Sequence, residues 1–173
     1  MKRISLVAIA LLFSALLSSA QIKKPENVRV VPPVTPVTAA PGSALEVPVY
    51  LNIAPGFHIN AEKPSADYLV ATKLEWVSAE LKLAGMTYPP AEKHEFDYAP
   101  GEKVDVYQGD VKIVSRFAVP RNAQPAKLTL QGKVTYQACD NKVCYRPVTV
   151  PFEAAVEIVK PAGKKPPMNA DKR

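Results

Sequence analysis

The segment KLTLQGKVTYQACDNKVCYRPVTVPFEAAVEI, from Lys127 to Ile158, contains two long runs in which apolar and polar residues alternate. Apolar or small residues occupy every second position from 128 to 138 and again from 148 to 158. A period of two is typical of a strand with one buried face. Two such runs around a short polar loop predict a β-hairpin, and its loop holds both cysteines of the chain, Cys139 and Cys144.

Three further segments have the pattern of strands, namely 45–53, 72–77 and 111–119. Turn-forming clusters such as APGF, YPPAEK, YAPGEK and VPRNAQP separate the strand-like segments. Many short strands with regular turn signals predict an all-β fold, an antiparallel immunoglobulin-like sandwich. The usual immunoglobulin spacing of cysteine, tryptophan and cysteine is missing, because both cysteines lie in one hairpin.

The first twenty residues have the pattern of a secretory signal peptide. Lys2 and Arg3 precede the uncharged apolar run Leu6–Leu17, and Ser18 and Ala20 supply small residues for cleavage after Ala20. The apolar run is shorter than a membrane-spanning helix, and no second long apolar run follows it. We therefore expect an exported chain, periplasmic or secreted, without a membrane span after cleavage.

The rest of the chain divides by composition. Residues 21–43 form an extended, proline-rich lead-in in which VRVV is the one strand-like patch, and residues 44–159 hold the strand patterns of the sandwich domain. We expect residues 160–173 to be a disordered basic tail.

The formal net charge of +6 gives no support for nucleic-acid binding. Four of the basic residues precede Pro25, and five more lie between Lys160 and Arg173, so the body between these ends is slightly acidic. A nucleic-acid footprint needs basic residues gathered on one folded face. The sequence instead predicts solvated, charged ends.

The two cysteines have two possible roles. An even number of cysteines in an exported chain predicts one disulfide. Closing so short a loop stabilises the fold by only about 2 kcal/mol, through the lost entropy of the unfolded chain. This bridge would therefore do little to stabilise a sandwich. A pair that exchanges needs a thiolate whose pKa its surroundings can tune. Here Lys142 and Arg146 would favour the thiolate, and Asp140 would oppose it. Composition alone leaves a structural bridge and a working dithiol both open.

A zinc site is not indicated, because the two histidines, His58 and His94, are far apart in sequence and match no compact zinc pattern. We expect no metal and no cofactor. His58 is interpreted as a structural hydrogen-bonding residue. Trp76 and Phe117 lie in strand patterns and are expected in the core, and Tyr136 is expected to pack beneath the cysteine loop.

Three stretches together resemble a known family. They are YQACDNKVCYRPVTVPFE, GFHINAEKP and FDYAPGEKVDVYQGDVKI, and the likeness extends over about Pro41–Val159. The chain resembles the N-terminal periplasmic domain of the thiol:disulfide interchange protein DsbD. The resemblance implies an immunoglobulin-like sandwich with a disulfide that accepts electrons from a thioredoxin-like domain. It also implies that the disulfide passes them to periplasmic thiol proteins, including disulfide isomerases and cytochrome c maturation factors.

The resemblance also implies roles for individual residues. Cys139 and Cys144 would be the redox pair, with Cys144 as the sulfur that partners attack. A cap loop with an aromatic ring shields the disulfide in this family. The matching segment here is KHEFDYAPG, residues 93–101, with Phe96 as the candidate cap ring and Tyr98 as the alternative. The remaining candidates, for proton handling or docking, are Glu95, Asp97 and Tyr145.

The expected function is therefore a thiol:disulfide interchange component that relays electrons between thioredoxin-like or disulfide-isomerase-type proteins. The chain resembles a stand-alone version of one module, so we expect its electron donor to be another protein, such as a membrane electron-transfer protein. The expected mechanism has a mixed disulfide at Cys144 and Cys139 as the resolving thiol. The rival reading is an extracytoplasmic binding or chaperone-like sandwich in which the same disulfide is only structural.

Overall fold

A computed structural model describes residues 27–78 and 81–160, and these residues form twelve β-strands and no α-helix. The strands are β1 (Val28–Val31), β2 (Val37–Ala39), β3 (Ala44–Ile53), β4 (His58–Asn60), β5 (Lys73–Ser78), β6 (Lys82–Thr87), β7 (Glu92–His94), β8 (Val104–Tyr107), β9 (Asp110–Ala118), β10 (Ala126–Tyr136), β11 (Ala138–Cys139) and β12 (Val148–Ile158). The expected signal peptide and most of the expected basic tail lie outside the described residues. Within the described ranges, no helix has the length and apolarity that a membrane crossing needs.

The strands form three four-stranded sheets. Sheet A has the order β1-β3-β9-β6, sheet B the order β2-β12-β10-β5, and sheet C the order β11-β4-β8-β7. Sheets A and B pack face to face, since apolar side chains of β3 and β9 share one buried cluster with those of β10 and β12. The predicted all-β, immunoglobulin-like sandwich is confirmed.

The predicted hairpin is the longest ladder of the fold. β10 and β12 pair antiparallel without a break from Ala126 opposite Ile158 to Tyr136 opposite Val148. The inward positions are buried from Leu130 to Tyr136 and from Phe152 to Ile158, with Val134 and Ala154 fully buried, while their neighbours are more exposed. The alternation therefore predicted both the pairing and the buried face.

Trp76 joins the two sheets at the centre of the core. Its ring packs edge-on against Phe117 and Phe152, each at a centroid distance of 5.3 Å. Its indole Nε1 donates a hydrogen bond of 2.8 Å to Oγ of the fully buried Ser115, so the polar tip of the ring is satisfied. The core positions predicted for Trp76 and Phe117 are confirmed.

The proline-rich lead-in contributes one strand to sheet A and a second strand, which the sequence did not indicate, to sheet B. β1, the VRVV patch, pairs antiparallel with β3, and its first residue Val28 is fully buried. β2 runs parallel to β12 along the edge of sheet B. The lead-in is therefore bound to the sandwich, although the boundary at residue 43 stays a prediction.

Sheet C positions the cysteines. The chain leaves sheet B after Tyr136, and the two residues of β11 pair with β4 instead, with Ala138 opposite Ile59 and Cys139 opposite His58. Gln137, at the break, accepts hydrogen bonds at Oε1 from Asn60 Nδ2 and Val70 N, both 3.2 Å. The cysteines thus lie beyond the hairpin ladder, on a small sheet whose last strand, β7, leads into the segment expected to be the cap.

Candidate functional site

The two cysteines form a disulfide that closes the loop from Cys139 to Cys144, here called the cysteine loop. Main-chain hydrogen bonds close the same loop on both sides of the bridge. Tyr145 N donates to Ala138 O at 2.8 Å, and Asp140 N donates to Val143 O at 3.0 Å. The loop is therefore held by its backbone as well as by the disulfide, in keeping with the view that the bridge adds little as a staple.

The two sulfur-bearing residues differ in their burial. Cys139 is fully buried in β11, whereas Cys144 is partly exposed. A nucleophile must approach the sulfur that it attacks, so access from solvent favours attack at Cys144. This is the sulfur that the resemblance implies, and its role stays a prediction.

Asp140 organises the loop. Its Oδ1 accepts hydrogen bonds from the main-chain N–H groups of Lys142 at 2.7 Å and Val143 at 2.9 Å. Its Oδ2 accepts the hydroxyl of Tyr145 at 2.7 Å. These bonds stabilise the carboxylate and hold the pKa of Asp140 below its ordinary value, while the bond to Asp140 raises the pKa of Tyr145. Asp140 therefore stays charged beside the disulfide and fixes the turn that carries it.

The segment 93–101, here called the cap, places a stack of three rings beside the cysteine loop. Phe96 is buried and lies parallel to the ring of His58, with a centroid distance of 3.9 Å and an angle of 12°. On the cap itself, Phe96 and Tyr98 are also stacked, at 5.3 Å and 8°. His58 Nε2 and the hydroxyl of Tyr98 are 2.9 Å apart and hydrogen bonded. The two candidate cap rings are thus anchored to the same residue of β4.

The cap is also tied directly to the cysteine loop. Asp97 N donates to Asn141 O at 3.0 Å, and Asn141 Nδ2 donates to Asp97 Oδ2 at 2.7 Å. Glu95 is bound within the cap, since its Oε1 accepts a hydrogen bond from the N–H of Gly101, which has a positive φ of 80° at the end of the cap. Of the two acidic candidates, the structure brings Asp97 to the cysteine loop and uses Glu95 to hold the turn of the cap.

Burial sets the charge states of the ring stack. His58 is only 2% exposed, and burial, aided by the nearby His94 and opposed by Asp140, lowers its pKa to about 4. Burial raises the pKa of Tyr98 to about 12. Near neutral pH both groups are uncharged, with an imidazole and a hydroxyl in hydrogen-bond contact. The predicted structural hydrogen bond of His58 is confirmed.

A cleft of about 300 Å³ separates the cap from the turn before β4. Its lining includes Phe57, His58, Phe96 and Asn141. Tyr145 lies at the other side of Phe57, with the two ring centroids 6.0 Å apart. Tyr145 is therefore placed beside the partly exposed sulfur, where a docking partner would touch it, and its docking role stays a prediction.

Sequence reasoning missed three members of this site. Asn141 and Gln137 are polar residues in or beside a loop, and nothing in their spacing indicates that they bind segments 44 and 77 residues away. The ring stack on His58 was missed as well. The three residues of β4 are all buried in the structure, which their sequence does not indicate. Among residues 27–78 and 81–160, no three metal-ligating side chains lie together.

Comparison with known proteins gives one family. The model of the family described as "Thiol:disulfide interchange protein DsbD, N-terminal" matches residues 25–155. No curated protein matches the chain in sequence.

Several solved structures are similar to the chain. The reduced N-terminal domain of DsbD from Neisseria meningitidis is 20% identical, with a TM-score of 0.45 over 71% of this chain and 86% of that one. A structure of the complex between the DsbD and PilB N-terminal domains of the same organism is 22% identical, with a TM-score of 0.44 over 77% of this chain and 87% of that one. The N-terminal periplasmic domain of ScsB from Proteus mirabilis is 15% identical, with a TM-score of 0.49 over 79% of this chain. This chain spans 48% of that one.

Proposed function

The chain belongs to the family of N-terminal domains of the thiol:disulfide interchange protein DsbD, and from this premise we propose that Cys139 and Cys144 relay electrons between thioredoxin-like proteins. The domain is a thiol:disulfide interchange domain by family, and its disulfide lies within the residues that the family model matches. Which residues react, in which order and with which partners forms the proposal.

One observation carries the proposal: the disulfide joins a fully buried sulfur to a partly exposed one. A partner can reach Cys144, while Cys139 stays shielded from solvent thiols. Because exchange proceeds by attack of a thiolate on one sulfur, unequal access selects one mixed disulfide out of two. A purely structural bridge gains nothing from this asymmetry.

In the accepting direction, the partner supplies two thiols. Its first thiolate attacks Cys144 Sγ, the bond between the two cysteines breaks, and Cys139 leaves as a thiolate that takes up a proton. The second partner thiolate then attacks the partner's own sulfur in the mixed disulfide and releases Cys144. The partner ends as a disulfide and the domain as a dithiol, so two electrons have moved.

In the donating direction, the Cys144 thiolate attacks the disulfide of an oxidised partner. Cys139 then attacks Cys144 Sγ, which restores the disulfide of the domain and releases the partner as a dithiol. Cys139 is thus the resolving thiol in the donating direction only, because in the accepting direction its attack would return the starting state. This restricts the role first expected for Cys139.

The proposed partners are thioredoxin-like or disulfide-isomerase-type proteins, with a membrane electron-transfer protein as a candidate donor. The proposed location is the periplasm, after cleavage of a signal peptide following Ala20. Family membership supports both, and so does the basic, then apolar, N-terminal sequence. The cap is proposed to shield the disulfide until a partner displaces it, as Phe96 and Tyr98 lie over β4 beside the cysteine loop.

The test is a trapping experiment with a matched pair of variants. Cys139→Ser leaves the partly exposed Cys144 free, and Cys144→Ser leaves the buried Cys139 free. Each variant, incubated with a periplasmic extract, is examined for mixed disulfides on a non-reducing gel, and the captured proteins are identified by mass spectrometry. We expect thioredoxin-like proteins bound to Cys139→Ser and few or none bound to Cys144→Ser.

The rival function, a binding or chaperone-like module with a structural disulfide, predicts a different pair of results. It predicts no adducts with either variant and a reduction potential of the wild-type disulfide below about −300 mV, where structural bridges lie. That pair of results would refute the relay. Adducts that form equally with both variants would instead refute the assignment of Cys144 as the point of attack.

A further inference from the structure

His58 is the one side chain of the site at which the disulfide strand and both cap rings meet. It lies directly opposite Cys139 in the pairing of β4 with β11, so the two side chains emerge on the same face of sheet C. It stacks on Phe96 and is hydrogen bonded to the hydroxyl of Tyr98. A change in the protonation of the His58 ring therefore affects both the cap and the surroundings of the buried Cys139.

The surroundings of His58 favour an uncharged ring. His94, at the end of β7, opposes a positive charge on it, and Asp140 of the cysteine loop is the one acidic group that favours it. Tyr98 offers a hydroxyl and no charge. On the other side of β4, β8 pairs through Val106 and Tyr107, and neither is charged near neutral pH. When the cap is closed, the imidazole is therefore surrounded by groups that do little to stabilise the positive charge of an added proton.

We infer that His58 is a positioning residue of the exchange site, which holds the cap closed as a neutral imidazole and releases it as an imidazolium. With its proton on Nδ1, the neutral ring accepts a hydrogen bond from the Tyr98 hydroxyl at Nε2, and it presents its face to Phe96. The protonated ring can only donate to the hydroxyl oxygen, so this bond must reverse, and the buried positive charge is better solvated when the cap has moved away. This inference rests on the proposed function, because cap opening matters only if the disulfide exchanges.

The direction of the pH effect follows from linkage. With the cap closed, the pKa of His58 is about 4, and with the cap open we expect it to return toward the ordinary 6.5. The closed cap is therefore at full stability above pH 6.5, loses stability as the pH falls from 6.5 to 4, and changes little below. Between pH 7 and pH 5 the ratio of open to closed forms is expected to rise by about twentyfold.

The test measures reduction of the disulfide by tris(2-carboxyethyl)phosphine, a small reductant that does not need a thiolate to attack. Rates are measured from pH 7 to pH 5 for the wild-type protein and for His58→Phe. Phenylalanine keeps a ring against Phe96 but cannot take up a proton. We expect the ratio of the wild-type rate to the His58→Phe rate to rise about twentyfold over this range. A ratio that stays constant overturns the inference.

The second histidine supplies the matched control. His94 is partly exposed and is hydrogen bonded to Glu92, and His94→Gln removes this second imidazole. Because burial is the largest cause of the lowered pKa of His58 and His94 a smaller one, we expect His94→Gln to keep most of the rise in rate between pH 7 and pH 5. If the rise disappears with His94→Gln and persists with His58→Phe, the pH dependence belongs to His94 and the inference fails.

A measurement on the wild-type protein guards against a variant that does not fold. In an NMR titration, we expect the ring signals of Phe96 and Tyr98 to change with the same midpoint as those of His58. Ring signals that stay constant while His58 titrates contradict the inference. Neither readout uses a protein partner, so failure of the relay and failure of this inference are seen separately.

Discussion

Asp97 of the cap and Asn141 of the cysteine loop bind each other twice, once through the main chain and once through their side chains. The main-chain bond holds the two segments at a fixed register, and the side-chain bond of 2.7 Å adds to it at the exposed edge. In the proposed mechanism the cap leaves the cysteine loop before a partner binds, so this pair, here called the latch, would oppose opening. The proton or docking role of Asp97 stays a prediction.

Asn141→Ala removes the side-chain half of this latch and keeps the main-chain half. A hydrogen bond of this kind contributes about 1 kcal/mol, so we expect reduction of the disulfide by dithiothreitol to accelerate about fivefold. Asn122→Ala, in an exposed turn far along the chain from the cap, is the control and is expected to react like the wild-type protein. Equal rates for the wild-type protein and Asn141→Ala would show that the bond does not restrain the cap.

Phe96→Ala removes the ring that stacks on both His58 and Tyr98. The stacked contact with His58, about 0.5–1.5 kcal/mol, and the burial of the Phe96 ring both favour the closed cap, so we expect glutathione to reduce the disulfide at least about tenfold faster. Tyr98→Phe is the matched variant, because it keeps its stacked ring and loses only the hydrogen bond to His58. We expect a smaller rise with Tyr98→Phe. The opposite order would make Tyr98, the alternative, the shielding ring.

Asp140→Asn tests the carboxylate that organises the cysteine loop. Hydrogen bonds from Lys142 N–H, the Tyr145 hydroxyl and Val143 N–H keep the pKa of Asp140 below the ordinary 3.8. A lowered pKa means that the carboxylate stabilises the fold above about pH 4 and that this contribution is lost as the pH falls through the lowered value.

The measurement is thermal unfolding of the wild-type protein and Asp140→Asn at pH 7 and at pH 3. We expect the wild-type protein to melt at the higher temperature at pH 7, and the difference to shrink at pH 3. A difference that is the same at both pH values would show that the charge of Asp140 does not stabilise the loop.

Gly132→Ala tests the packing between the two strands of the hairpin. A Cβ atom at residue 132 would lie 2.5 Å from Cζ of Phe152, its partner across the ladder, so the ring must move. Overpacking of this kind costs about 1–3 kcal/mol of the free energy of unfolding. Gly85→Ala is the control, since a Cβ there meets nothing within 4 Å. Chemical denaturation that gives both variants the same midpoint would contradict the assigned position of Phe152.

The long strands could be predicted because each buries one face along most of its length. β3, β9, β10 and β12 are 9 to 11 residues long, and their alternation leaves little choice of buried face. The short strands of sheet C give no such signal. β4 alternates in polarity as His, Ile and Asn but is buried at all three positions, and β7 is polar at all three, so in neither strand does the sequence indicate a buried face.

The site was predictable only in part for the same reason. The sequence and its resemblance to a family pointed to the cysteines and to the cap segment. Position alone could not tell Asp97, which reaches the cysteine loop, from Glu95, which binds Gly101 within the cap. Asn141 joins Asp97 across 44 residues of sequence. Such a contact depends on how sheet C folds back on the hairpin, which strand patterns do not specify.

The position of the disulfide beyond the last pair of the β10–β12 ladder separates the redox chemistry from the rest of the domain. The ladder is complete at Tyr136 and Val148, and the core of the sandwich does not include the bond that exchange breaks. We therefore expect oxidised and reduced molecules to share one framework, with the same amide hydrogen exchange in β10 and β12. In the proposed relay, a single molecule would pass through many turnovers with sheets A and B intact.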